Sequence, residues 1–381
     1  MKNSNKFKLK PKDKVLFEYL VGVSESLEMK AIPELHHVAK LHGLEGVFLT
    51  KLTSSDSDFA KDTWLKSLRE YRLVQSYIYT QRLKLLNDLC ESETDFVVMK
   101  GFAISHVFYE DCLLRPYSDV DIFIDSNRYF DFKLLFSKEG FDFASGWDTE
   151  PLIKQVALAK KLGSRLCLEF DIHTAFSSDF FLNKLFSYEV FKKNSQCLYI
   201  DELNNYIYVP QTHLILLHSM VHFFAHIQKG NLVKLIWLYD ITLIIESLSE
   251  EDIVNFEIFV KNLGMGEFVF QGLEVMSDFL NTSTANDLKS RFIRLDANQR
   301  KGLYLLSPKS GFFFLINNLV NFRNLKDLFN FLRYTIFPPK IAIEKKYGIK
   351  IDSILVLIYC YFKRVFLSLK RYSGKYYEIK K

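Results

Sequence analysis

Two short runs alternate acidic and large apolar residues, and that alternation constrains the fold more than any other feature of the sequence. In Ser118-Asp-Val-Asp-Ile-Phe-Ile124 the acids stand at 119 and 121, with branched apolar residues at 120, 122 and 124. In Leu166-Cys-Leu-Glu-Phe-Asp-Ile-His173 the polar residues Glu169, Asp171 and His173 alternate with Leu168, Phe170 and Ile172. A period of two belongs to a strand, because successive side chains point to opposite faces. These runs predict strands over 120–124 and 166–173, each with an apolar face on a core and an acidic face away from it. A third run, Phe96-Val-Val-Met99, is too short for a buried helix and is followed by Lys100-Gly101, so it predicts a buried strand.

The sequence on either side has the other period. From Asp13 to about Cys90 apolar residues recur at three and four positions, as in Leu83-Leu86-Leu89, with a break around Thr53–Ser57. Ala103–Glu110 suits a short helix, and Asn127–Gly140 a helix stopped by Gly140. From Pro210 the chain turns helical again, in a helix capped by Thr212 that runs through His226 and in another over Leu232–Ile245. The predicted class is α+β: a small mixed sheet set between helical flanks. The expected regions are a helical one at 1–92, an α/β core at 93–205 and a helical domain at 206–381.

Composition narrows the functional classes. Half the 381 residues are hydrophobic, with 36 Phe and 20 Tyr, so the chain folds around a large core. Fifty basic residues against 45 acidic ones leave +5 with no dominant basic stripe, which neither demands nor excludes a polyanion. Met1–Lys14 is polar, unlike a secretory signal. The longest apolar stretch, Ile354–Phe362, falls short of the roughly 18 residues that span a bilayer. Five scattered cysteines without a Cys-x-x-Cys pair fit reduced, mostly buried thiols, and the expected location is the cytoplasm. No dinucleotide-binding, Walker-type or nucleophile-elbow glycine motif is present.

The chemistry then rests on the acidic faces. Two carboxylates as close as Asp119 and Asp121 repel unless a cation lies between them. Magnesium takes one or two carboxylates plus phosphate oxygens, so the spacing suits a Mg-nucleotide. If the 166–173 strand lies alongside, Asp171 or Glu169 completes a three-carboxylate cluster able to hold two ions. Lys100 and Arg115 supply positive charge for phosphates, Gly101 allows close backbone approach, and Ser105 offers a hydroxyl.

Met99-Lys-Gly-Phe-Ala-Ile-Ser-His-Val-Phe-Tyr-Glu110 and Leu114-Arg-Pro-Tyr-Ser-Asp-Val-Asp-Ile-Phe-Ile124 together resemble the uncharacterised nucleotidyltransferase family of the polymerase-beta-like superfamily. Phe170-Asp-Ile-His173 looks like its second acidic strand. Looser likeness extends through His218, His222 and Lys234–Ile241 to Phe337-Pro-Pro. Wider members of the superfamily carry Gly-Gly or Gly-Ser where this chain has Lys100-Gly101. The resemblance implies a nucleotidyltransferase core in which Asp119, Asp121 and Asp171 are catalytic and ligate Mg2+, with Mn2+ as substitute. It implies transfer of a nucleoside monophosphate from an NTP such as ATP to an acceptor hydroxyl or phosphate, the acceptor class being open. RNA is among the acceptors, though the modest net charge disfavours it. A non-catalytic nucleotide- or partner-binding module and a toxin-like tRNA-modifying enzyme are the alternatives.

Three further features have plainer readings. His218, His222 and His226 recur every four residues among apolar neighbours, which suits packing or a substrate contact better than zinc. Trp237 reads as core, and Asp240 as a partner for a basic site residue or a histidine. Ile354–Tyr372, with Lys363, Arg364, Lys370 and Arg371, has the pattern of a basic amphipathic helix; packing with a solvated edge is the expected role, and the tail Lys375–Lys381 is expected to fray.

Overall fold

Strand β1 (Val97–Met99) is buried at every position, as its unbroken apolar run requires. It pairs antiparallel with β2 (Asp119–Phe123), Met99 opposite Asp121. These strands belong to a computed structural model that describes residues 8–24, 26–54, 61–92, 95–143, 155–163, 166–176, 180–228, 233–280, 282–293, 295–306, 329, 337, 340–347 and 349–372. Part of the break at 53–57, the tail 375–381 and Pro338-Pro339 lie outside the described residues.

Strands β3 (Asp142–Phe143), β4 (Gln155–Leu162) and β5 (Leu166–His173) complete a sheet of order β1-β2-β5-β4-β3. The β2–β5 pair is parallel and the other three pairs are antiparallel, so the sheet is mixed as expected. A separate hairpin, β6 (Ser195–Ile200) with β7 (Asn205–Pro210), turns at Asn204, which takes a left-handed φ of 49°. β7 also packs beside β1. The expected boundary between 205 and 206 falls at the start of β7.

Four helices precede the sheet: α1 (Pro11–Leu20), α2 (Ile32–His42), α3 (Glu45–Ser54) and α4 (Lys61–Glu91). Between β1 and β2 lies α5 (Lys100–Phe108), and after β2 comes α6 (Tyr129–Lys138), followed by Gly140 at φ 75°. Phe136 of α6 packs edge-on to Phe170, which stands on the apolar face of β5 between Glu169 and Asp171. This is the burial that the alternation called for.

After the short helices α7 (Phe180–Leu185) and α8 (Tyr188–Lys193), the chain enters α9 (Thr212–Gln228), which packs on α5, α10 (Leu235–Glu246), α11 (Glu250–Leu263) and α12 (Gly266–Val275). A capping box at Ser249 and Asp252 starts α11, and Gly264 at φ 73° ends it. Next comes α13 (Ser283–Ser290). Residues from Leu16 to Leu305 share one hydrophobic core, so all three zones of the sequence meet in it. Helices α14 (Lys340–Tyr347) and α15 (Ile354–Tyr372) form a second, small core around Ile343, Ile351 and Cys360. No described helix is long and apolar enough to cross a membrane. All five cysteines are free, but only Cys360 is fully buried and Cys167 and Cys197 are exposed, contrary to the expectation of mostly buried thiols.

Candidate active site

The parallel register sets Asp119 beside Glu169, Asp121 beside Asp171 and Phe123 beside His173. Side chains at facing positions share a face, so the acidic faces of the two strands merge into one. Asp121, Asp171 and His173 are all buried, and each offers a ligand atom within 4.8 Å of the others. Glu169, the alternative third acid, is exposed in the middle of β5, opposite Asp119; Asp171 is the acid that joins the cluster. Asp119 is half-buried beside it, accepts a 2.9 Å hydrogen bond from Ser118 Oγ, and lines the adjoining cleft.

Lys100 enters from β1 in an unusual way. Its φ is +53°, a left-handed conformation that costs an L residue roughly 1–2 kcal/mol. That turn ends β1, starts α5 and brings Lys100 Nζ to 2.5 Å from Asp121 Oδ1. His173 Nε2 lies 2.7 Å from the same oxygen.

The two carboxylates are in opposite electrostatic states. Burial alone would raise Asp121, but the Lys100 ammonium and His173 outweigh it and hold the carboxyl well below its ordinary range. Asp171 is pushed up to about 7, first by burial and then by the charges of Asp119 and Asp121, and Gln155 Nε2 donates to its Oδ2. Two buried acids and a third beside them, with one of the three proton-prone at neutral pH, form a donor set short of positive charge. Such a set fits a divalent cation. His173, kept neutral by burial and by Lys100, adds a nitrogen that Mn2+ accepts more readily than Mg2+ does.

The cluster opens into a cleft of about 470 Å³ between the sheet and the helical half. Arg115, expected to bind phosphate, is buried in the wall. Its Nε and Nη2 donate to Asp240 of α10 at 3.0 and 2.6 Å, and Tyr109 Oη donates to the same carboxylate at 2.8 Å. Burial opposes the Arg115 charge, but Asp240 outweighs burial and holds the guanidinium above its ordinary value. Only Arg115 Nη1 is left toward Gly101. A Cβ on Gly101 would fall 2.8 Å from that nitrogen and 2.6 Å from Tyr117 Cβ, so Gly101 is needed by the wall as much as by any ligand. Ser105 is not brought to the cleft: it is fully buried and donates to the Phe102 carbonyl at 2.8 Å.

On the helical side His218, Ser219 and His222 of α9 face Lys234, Trp237 and Asp240 of the α10 region. Burial lowers His218 to about 3 and His222 well below its ordinary value, with Lys100 adding to both. Trp237 is half-buried, both packed on the core and facing the cleft, with its ring edge-on to His222 at 4.8 Å. Among the described residues the α9 histidines enter no cluster of three potential metal ligands.

Residues 29–281 match a family described as uncharacterised nucleotidyltransferase. The chain belongs to that family. One solved structure similar to it is that of an antigenic nucleotidyltransferase-like protein from Paracoccidioides brasiliensis, 16% identical, covering 54% of this chain and 92% of that one at a TM-score of 0.33. No curated protein matches.

Reading the sequence of this nucleotidyltransferase family member missed three residues at the site. Arg82 of α4 is buried, donates to the carbonyls of Tyr117 and Ser118 at 2.8 and 2.7 Å, and so fixes the link into Asp119. Gln155 comes from a strand that was not foreseen. His173 shares the acidic face in the alternation, and that was the available signal for it.

Proposed function

We propose that the chain is an enzyme that transfers a nucleoside monophosphate from an NTP to an acceptor hydroxyl or phosphate, with Mg2+ or Mn2+ held by Asp121 and Asp171 and reached by Asp119. The observation that carries this reading is the register of β2 and β5, which sets Asp171 against Asp121, and Asp121 lines the cleft together with Asp119 and Lys100. A bound divalent cation supplies charge neutralisation for the triphosphate and acidifies the attacking hydroxyl. Lys100 Nζ, now on Asp121, is free to pass to a phosphate oxygen once that carboxylate is otherwise neutralised. Arg115 Nη1, held still by Asp240, offers a second donor from the wall. Asp119, at the cleft mouth, is the carboxylate first met by an incoming metal-nucleotide. The helical wall shapes the space for the acceptor and contributes neutral imidazoles there.

The test is incubation with Mg2+ or Mn2+, each labelled NTP in turn, and a metabolite extract. Label should pass to an acceptor with the native chain and not with Asp119→Asn, whose half-exposed position leaves folding intact. Equal transfer by that variant rejects the proposal. One observation favours a second reading, a binding module without turnover: the Lys100 ammonium already neutralises Asp121, and His173 bonds to the same oxygen. Nucleotide binding that is independent of divalent ions, with no label transferred, selects that reading.

A further inference from the structure

Helix α15 turns an apolar stripe to solvent. Ile354, Leu355, Phe362 and Phe366 are 73%, 73%, 72% and 66% exposed, and Ile358 and Tyr359 are exposed beside them. At 100° per residue these six positions fall within an arc of about 140°. The opposite side is already engaged, because Cys360 is buried and Leu357 and Tyr361 pack with it against Ile343, Tyr347 and Ile351. The stripe is therefore not where α15 meets α14. Its residues also lie beyond 29–281, the part that matches the nucleotidyltransferase family. Among the described residues nothing covers it, and a continuous exposed apolar patch marks an interaction site.

Charge identifies the occupant. Residues 340–372 carry eight Lys and Arg against two acidic residues, while the whole chain is only +5. This segment therefore carries an excess of six positive charges, beside the excess of five in Met1–Lys14. Lys363 sits at the edge of the stripe, its Nζ 6.0 Å from the Tyr359 ring centroid and 5.4 Å from that of Tyr347 on α14. A second copy docked on the stripe would bring two such basic segments together, which like-charge repulsion opposes. A helix of 19 residues, about 28 Å long, that is not apolar enough to span but has one apolar face and flanking basic residues, matches a bilayer surface of negative charge.

We infer that α15 lies on the surface of an anionic lipid bilayer, with Leu355, Ile358, Phe362 and Phe366 in the acyl boundary and Lys363 at the headgroups. The inference does not depend on nucleotidyl transfer. The test is flotation of the full chain with phosphatidylcholine vesicles and with vesicles that also contain phosphatidylglycerol. Anionic vesicles should bind at least about tenfold more tightly, with the gain lost at high salt. Leu355→Asp with Phe362→Asp should cut binding about tenfold or more while far-UV dichroism is unchanged. Should that variant unfold, Tyr359→Trp serves instead: its emission should shift to the blue on vesicles and be quenched by brominated acyl chains. No vesicle binding by the native chain overturns the inference, as does equal binding to both lipids or full binding by the folded double variant. A native dimer that these substitutions dissociate, with no lipid binding, overturns it in favour of a second copy.

Discussion

The two walls of the cleft are built on different physics. The sheet wall concentrates charge: Asp119, Asp121 and Asp171 on one face, answered by Lys100 held in a strained backbone conformation. The helical wall removes it: His218 and His222 are driven neutral by burial, and its one buried acid, Asp240, is spent on Arg115. Charges short of a partner are a place for a ligand, whereas charges fully paired are a scaffold. The proposed function puts chemistry on the sheet and positioning on the helices, and the contrast can be broken from either side.

The largest effect belongs to the sheet. Asp121→Asn should lower nucleotidyl transfer by about 10³-fold or more, since several kcal/mol of transition-state stabilisation depend on the cation it would hold, while melting by dichroism stays cooperative. On the helical wall the expected loss is in stability. Asp240→Ala leaves the Arg115 guanidinium buried and unpaired, and chemical denaturation should register a loss of about 3–5 kcal/mol. The exposed Lys14–Glu18 pair, broken by Glu18→Ala, should lose under about 1 kcal/mol in the same measurement. Next comes the strained junction: Lys100→Gly should be more stable than Lys100→Ala by about 1–2 kcal/mol, because only glycine occupies φ +53° without cost. If alanine is the more stable, the left-handed turn is not a feature of the folded protein. Smallest is Ser105→Ala, which removes one intrahelical bond, about 1 kcal/mol or less by denaturation, and should leave transfer rates unchanged. A fall in transfer would put Ser105 back at the cleft.

The sheet wall was legible because alternation is local. Asp119 and Asp121 announce their common face within five residues, and the strand from Leu166 to His173 was found with the bounds it has in the structure. The register between these strands was not legible, since Asp121 and Asp171 are fifty residues apart and only tertiary packing pairs them. β4 and the β6–β7 hairpin were missed. Gln155–Leu162 has only Val156 and Leu158 buried before the polar Lys160-Lys161, and β6 and β7 expose tyrosines on their outer face, so neither shows a clean apolar alternation. The fate of Arg115 depends on a carboxylate 125 residues away. Ser105 was assigned to phosphate from its nearness in sequence, but five residues along a helix turn a side chain about 140° from Lys100, toward the core.

The central claim, that the sheet-face acids form a divalent-cation site, is tested most directly by calorimetric titration of Mn2+ into the native chain and into Asp121→Asn across pH. The cation must displace a proton from Asp171, whose carboxyl lies at about 7 in the metal-free protein. Native affinity should therefore fall about tenfold for each pH unit below 7 and level off above it, and the variant should bind at least about a hundredfold more weakly. Mn2+ affinity that is equal in the two proteins, or no binding by the native chain at any pH, would contradict the account.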